Sequence, residues 1–225
     1  MTLQRKLERL APLSGTLFAV VLVAGLFSGG ETPGAGERPA QVVAYFASHR
    51  AEAELSSVLL ALAFLLFLFF AGSLRAFMRR AEGAEALAAL VLAGAVVMAS
   101  GAMIASAVEY TLAHELPRLT PGTAQTLNLL SNTVGTVMLI AGGVVVALSA
   151  GLAILRGVPL SRWLGWMAIV IAVLALIVPI AFIALLLLVI WTVIVSITLF
   201  LRASSEASAA PESTPVIKPS LKGTS

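Results

Sequence analysis

The chain has 225 residues, 60% of them hydrophobic and only 11% charged, with a mean hydropathy of +1.03. Soluble domains carry about 45–50% apolar and about 25% charged residues, so the polar surface is too small to cover a soluble fold, and the composition points to an all-α bundle in a lipid bilayer. The formal charge of +3 comes from basic residues scattered over short loops, which argues against nucleic acid as a partner, and the lack of cysteine and aspartate excludes disulfides, thiolate metal centres and Cys or Asp nucleophiles.

A helix needs about 20 apolar residues, at 1.5 Å each, to cross about 30 Å of hydrocarbon. Residues 1–9 are basic and precede the first such run, residues 10–29. That run also has the outline of a signal peptide, with Ser28 and Gly30 suited to a cleavage site. It is longer than the usual signal core of about 7–15 residues, which favours a retained helix.

The loop that follows opens with the Gly- and Pro-rich ETPGAGERP. Within residues 40–50, Val43, Phe46 and Ala47 are spaced i, i+3, i+4, as in a short amphipathic helix on the outer surface. The second, third and fourth spans are predicted at residues 55–74, 84–108 and 127–155. Residues 163–201 carry no charge, and as one helix they would be about 58 Å long, twice the hydrocarbon thickness. Pro179 is the natural corner, giving helices at 160–177 and 180–201; one kinked span with a re-entrant piece is the alternative. Residues 203–225, rich in Ser, Pro, Ala and Thr, are expected to be disordered.

Six spans put both termini on one side. That side carries Arg5, Lys6, Arg9, Arg75, Arg79, Arg80, Arg156, Arg162, Arg202, Lys218 and Lys222, against Arg38, Arg50 and Arg118 opposite. The excess predicts an N-in, C-in topology with cytoplasmic termini. Trp163 and Trp166 beside Arg162 suit an interface anchor.

Two helix faces stand out. On the fourth span Gln125, Asn128, Asn132 and Thr136 share one face, flanked by Ser131 and Gly135, and Gly143, Ala147 and Gly151 continue it. One reading is a packing face, small residues for close approach and amides as glue. The other is a polar pocket open to the outside. On the third span Ala93, Val97, Gly101 and Ala105 step by four toward Glu109. An acid at a membrane boundary is a functional candidate, although Tyr110, His114 and Glu115 just beyond it also fit an interfacial exit. Glu109, Asn128 and Asn132 are therefore the candidate ligand-binding residues, and Gly143, Ala147 and Gly151 the candidate packing residues.

No catalytic residue, cofactor or metal is assigned. His49 and His114 could meet Glu52, Glu109 or Glu115, but no HxxxH or HExxH spacing supports a metal site. No Walker loop or GxSxG occurs, and no charge lies mid-span, where proton pumps and voltage sensors carry theirs. A non-enzymatic accessory or membrane-responsive protein is the favoured expectation, packing against a membrane protein partner or a second copy in the lipid bilayer. The alternative is a small-solute carrier or channel; an enzyme would have to use His49 or His114 as base.

The loop motif VVAYFASHR, the LRAFMRRAEG after the second span and the LSRWLGWMAIVIAVLAL opening the last hairpin resemble an uncharacterised family of bacterial six-helix membrane proteins, a domain of unknown function common in high-GC Gram-positive bacteria. The resemblance spans residues 13–202. It implies six helices and a plasma-membrane location, and it carries no catalytic residues.

Overall fold

Long runs of Leu, Val, Ala and Phe leave the backbone one way to pair its N–H and C=O groups in lipid, the α-helix. The computed structural model describes residues 11–30, 32–177 and 180–209, and all regular structure among them is helical. After a 3-10 turn at Ala11–Leu13 come α1 (Ser14–Ser28), α2 (Pro39–Ser48), α3 (Arg50–Met78) and α4 (Glu85–Glu115). A second 3-10 turn, Leu116–Arg118, leads to α5 (Pro121–Leu155), α6 (Arg162–Ala175) and α7 (Ala181–Ala209). Five helices are long and apolar enough to cross a membrane; α6, at 14 residues, is a shorter apolar helix.

The apolar runs lie inside these helices, but several ends differ from the predicted ones. The second span extends from 55–74 to Arg50–Met78 at both ends, the third from 84–108 to Glu85–Glu115 at its C-terminal end, and the fourth begins at Pro121 rather than 127. Hydropathy marks only the hydrocarbon slab, whereas a helix continues until its backbone is capped. For α5 the cap is Thr120, whose Oγ1 accepts the Thr123 N–H at 3.2 Å ahead of Pro121 in the first turn. The last two helices are shorter at their facing ends than 160–177 and 180–201. Val178 and Pro179, the predicted corner, lie outside the described residues, as do Leu10, residues 1–9 and residues 210–225. Residues 203–209, predicted as disordered, continue α7; the Ser204 and Ser205 hydroxyls bond back to the Phe200 and Leu201 carbonyls at 3.0 Å.

The helices form a ring in which α1 lies between α7 and α3, α3 packs on α4, α4 on α5, α5 on α6 and α6 on α7. Ring neighbours run antiparallel: Gly15 meets Phe70, Gly25 meets Leu60, Gly94 meets Gly142, and Gly151 meets Gly165. Helix ends therefore gather at two levels. One, the basic end, holds Arg75, Arg79, Arg80, Arg156, Arg162 and Arg202. The other, the loop end, holds α2 and the turns after α1 and α4.

The α4–α5 seam is the tightest. A Cβ on Gly142 would lie 2.5 Å from the Gly94 carbonyl oxygen, and one on Gly101 would lie 2.3 Å from Met138 Cβ. Close approach needs glycine there. Between α1 and α3 the seam is aromatic instead, with Phe18 set 5.7 and 5.0 Å from the rings of Phe64 and Phe67. The α6–α7 pair is fixed by Trp191, wholly buried, whose Nε1 donates to the Leu164 carbonyl at 3.0 Å.

The amphipathic helix exists as α2, but its inward face is Val42 and Phe46; Val43 is half-buried and Ala47 exposed. The face is set by a cluster with Ala53, Leu112, Ala113 and Ala124 at the tops of α3, α4 and α5. Those helices run on past the apolar stretches predicted as spans, so α2 has protein to pack against.

Candidate functional site

The ring does not close evenly. Small residues on α4 and α5 (Ala102, Ala105 and Gly135) meet the loop-end halves of α1, α3 and α7 without filling the space between them. A cavity of about 260 Å³ results. For scale, a dry cavity of about 150 Å³ holds benzene. Phe18, Phe67 and Met98 line its deep part, and Glu109 and Ser131 its loop end. From Met98 to Glu109 is about 16 Å along α4, and the cavity is lined over that whole length. Leu26, Phe182 and Leu186 line it while remaining exposed. That rim is apolar, and it is formed by α1 and α7.

Glu109 brings the cavity's carboxylate. It stands about 36 Å along α4 from Glu85 at the basic end. Ser131 Oγ lies 3.1 Å from Glu109 Oε1 and 3.2 Å from the Ala105 carbonyl oxygen, so its single hydrogen serves one or the other. Among the described residues no ion pair includes Glu109 and no Lys, Arg or His lines the cavity. Ser106, Asn132, Thr136 and Thr192 supply the other polar groups. Thr192 is the unusual one: it is 0% exposed, and its hydroxyl has no hydrogen-bond partner among the described residues.

The loop after α1 is held beside the loop end of the cavity, where Asn132 both lines the cavity and reaches the Pro33 carbonyl. Gly30, at φ +64°, takes the left-handed conformation that turns the chain out of the helix. Three amides of α5 then hold the loop by its backbone. Asn128 Nδ2 donates to the Pro33 and Gly34 carbonyls, each at 3.2 Å, Asn132 Nδ2 reaches Pro33 at 3.4 Å, and Gln125 Nε2 reaches Ala35 at 3.4 Å. Below them Ser56 Oγ donates to the Gly25 carbonyl at 2.8 Å, and the Tyr45 hydroxyl donates to that of Gly29. Burial first, and then the Glu109 and Glu52 carboxylates, hold the Tyr45 phenol above its ordinary pKa of 10.0.

The candidate residues thus divide. Glu109 and Asn132 line the cavity. Asn128, 2% exposed, does not; it is committed to the loop. Gly143 and Ala147 are buried, but Gly143 faces Leu185 and Leu188 of α7, whereas Gly151 faces Gly165 and Ala168 of α6. Each step of four residues overshoots a turn by about 40°, so the three do not share one face. The same drift carries the α4 stripe about 160° from Ala93 to Glu109; Ala93 and Val97 are exposed, and the inward residues are Val91, Gly94, Ala95, Met98 and Ala102. The Gly94–Gly142 contact, Ser106 and Thr192 were not singled out from sequence. A signal existed in the matched seven-residue spacing of Gly94 with Gly101 and Gly135 with Gly142, which keeps each pair within about 20° of one helix face.

His49 stacks on Tyr45 with ring centroids 4.9 Å apart. His114 Nδ1 sits 3.2 Å from Glu54 Oε1 and 3.3 Å from an Arg50 nitrogen. Among the described residues no group of three His, Cys, Asp or Glu is arranged to hold a metal ion.

Replacing Asn128 with leucine is expected to free the loop without opening the bundle. It removes two amide donations to backbone carbonyls, worth about 1–2 kcal/mol together in a loop that water can reach. Amide hydrogen exchange across residues 34–38 should then quicken about tenfold while α3 and α4 keep their protection. Unchanged exchange would mean the amides do not hold the loop.

No family model matches the chain, and neither a curated protein nor a solved structure matches it.

Proposed function

We propose that this protein is a multi-pass membrane protein that binds a small amphiphilic molecule in the cavity between α1, α3, α4, α5 and α7, as a carrier or binding protein and not as an enzyme. The observation that carries this reading is the cavity: about 260 Å³, mostly apolar, with a carboxylate at its loop end and an exposed apolar rim. A molecule reaching it from the outer leaflet would keep its head near Glu109 and its tail among Phe18, Phe67 and Met98.

The accessory-subunit reading has less behind it. The residues that would glue a partner are occupied within the chain: Gly143 and Gly151 lie under α7 and α6, and Asn128 holds the loop. Association with another membrane protein or a second copy would need a different surface. A catalytic reading would rest on the Ser131 hydroxyl beside the Glu109 carboxylate, a pair that no third side chain among the described residues orients by a hydrogen bond to Glu109.

The topology belongs to the same proposal. Counting α6 as a sixth crossing, with its short span completed by the residues on either side, puts both termini at the basic end. The Lys and Arg excess there assigns that end to the cytoplasm and the cavity to the outer leaflet of a plasma membrane, in keeping with the resemblance to a bacterial six-helix family. Native mass spectrometry of protein released from its own membranes tests the binding role. A single small mass should travel with the wild type and be missing from Ala102→Leu, which fills the cavity. A bare wild-type chain, or an adduct that persists in the variant, would refute the cavity as the site.

A further inference from the structure

We infer that the cavity selects single-chain amphiphiles with a cationic, hydrogen-bond-donating head, such as a primary alkylammonium, with Glu109 as counter-ion. This rests on the binding role proposed above and adds the class of head group. Three observations carry it. The first is the sign of the site: Glu109 is a lining carboxylate, and no Lys, Arg or His among the described residues pairs with it or lines the cavity. An anionic head would meet an unneutralised carboxylate in a low-dielectric setting, whereas an ammonium would supply the missing partner.

The second is the state of the polar groups. Ser131 can donate one hydrogen to Glu109, which leaves most of the carboxylate's acceptor capacity open. Deeper on the opposite wall, the Thr192 hydroxyl is wholly buried and unpartnered although it lines the space. Buried polar groups ordinarily find partners, so this one marks where a water beside the occupant's chain completes the site. The third is shape. The cavity lining runs about 16 Å along α4 from Glu109 to Met98, with Phe18, Phe67 and Met98 at its foot. That suits one flexible chain below one small head.

The test uses the full chain in phosphatidylglycerol nanodiscs and three probes of equal chain length, decylamine, decanol and decanoate, compared at equal membrane concentration by the rise in melting temperature they produce. Decylamine should bind on the order of tenfold or more tightly than decanoate, with decanol between them. Glu109→Gln should bring the three within about threefold of one another, and Glu109→Asp should keep the preference for the amine. Repeating the titration with phosphatidylethanolamine in the disc separates the two sources of an ammonium head: no competition assigns the site to free single-chain amines, and competition by this two-chain lipid assigns it to headgroups and overturns the single-chain selectivity. Should Glu109→Gln not fold, the wild-type ranking alone decides. If the three probes bind the wild type equally, or the preference survives in Glu109→Gln, the head-group inference is overturned while the cavity remains a binding site. If none raises the melting temperature, the binding role itself fails.

Discussion

Replacing Gly142 with alanine is expected to lower the stability of the bundle by about 1–3 kcal/mol, and replacing it with leucine to abolish folded protein. The reason lies in what the new atoms would meet. A Cβ at position 142 would stand 2.5 Å from the Gly94 carbonyl oxygen and 2.7 Å from the Met98 backbone nitrogen. Neither can rotate aside, so α4 and α5 would have to part along their tightest seam. The intrinsic preference of a helix for alanine over glycine, about 1 kcal/mol, works the other way and is outweighed. Gly143 provides the contrast. Its nearest neighbour is the end of a side chain, Leu188 Cδ2 at 3.4 Å, so Gly143→Ala should melt at or slightly above the wild-type temperature. Thermal melts of both variants in mild detergent settle the matter, and the reverse order would show that the α4–α5 seam is wrongly registered.

These two adjacent glycines also mark how far the sequence could be read. That the chain is helical, with helices long and apolar enough to cross a membrane, was legible, because a bilayer demands apolar length and the runs are plain. The helix ends were less so: apolarity stops where hydrocarbon stops, while α3, α4 and α5 run on to the seat of α2. Faces were legible only where spacing alternates between three and four, as from Gln125 to Thr136; a strict step of four, as from Ala93 to Glu109, slides round the helix and was read as one face. The role of Asn128 was not legible at all, since its partners are backbone carbonyls 95 and 94 residues away, and a carbonyl leaves no trace in the sequence. Thr192 and Ser196 did leave one, as polar residues at i and i+4 in an apolar helix. Ser196 is explained by the first helix, where it bonds Thr16 and the Pro12 carbonyl, and only Thr192 is left without a partner.

Ala102→Leu asks the opposite question of the same helix that carries Gly94 and Met98. Leucine here enters the cavity, where Ala102 meets open space, and not the seam. The added carbons gain contacts with Phe18, Phe67 and Met98, so stability should hold or rise by up to about 1–2 kcal/mol, as cavity-filling changes do. Binding should fall at least a hundredfold, because the branch would occupy the volume a chain needs; that corresponds to about 2.7 kcal/mol. The pairing of outcomes is the argument. A cavity that exists for packing slack would be stabilised by leucine at no functional cost, and a cavity kept open for an occupant is stabilised only by losing that occupant. Melting temperature and decylamine titration on the one variant separate these cases. If leucine at 102 destabilises the bundle as leucine at 142 is expected to, the space between α1, α4 and α7 is not free, and the binding role assigned to Glu109 and Thr192 falls with it.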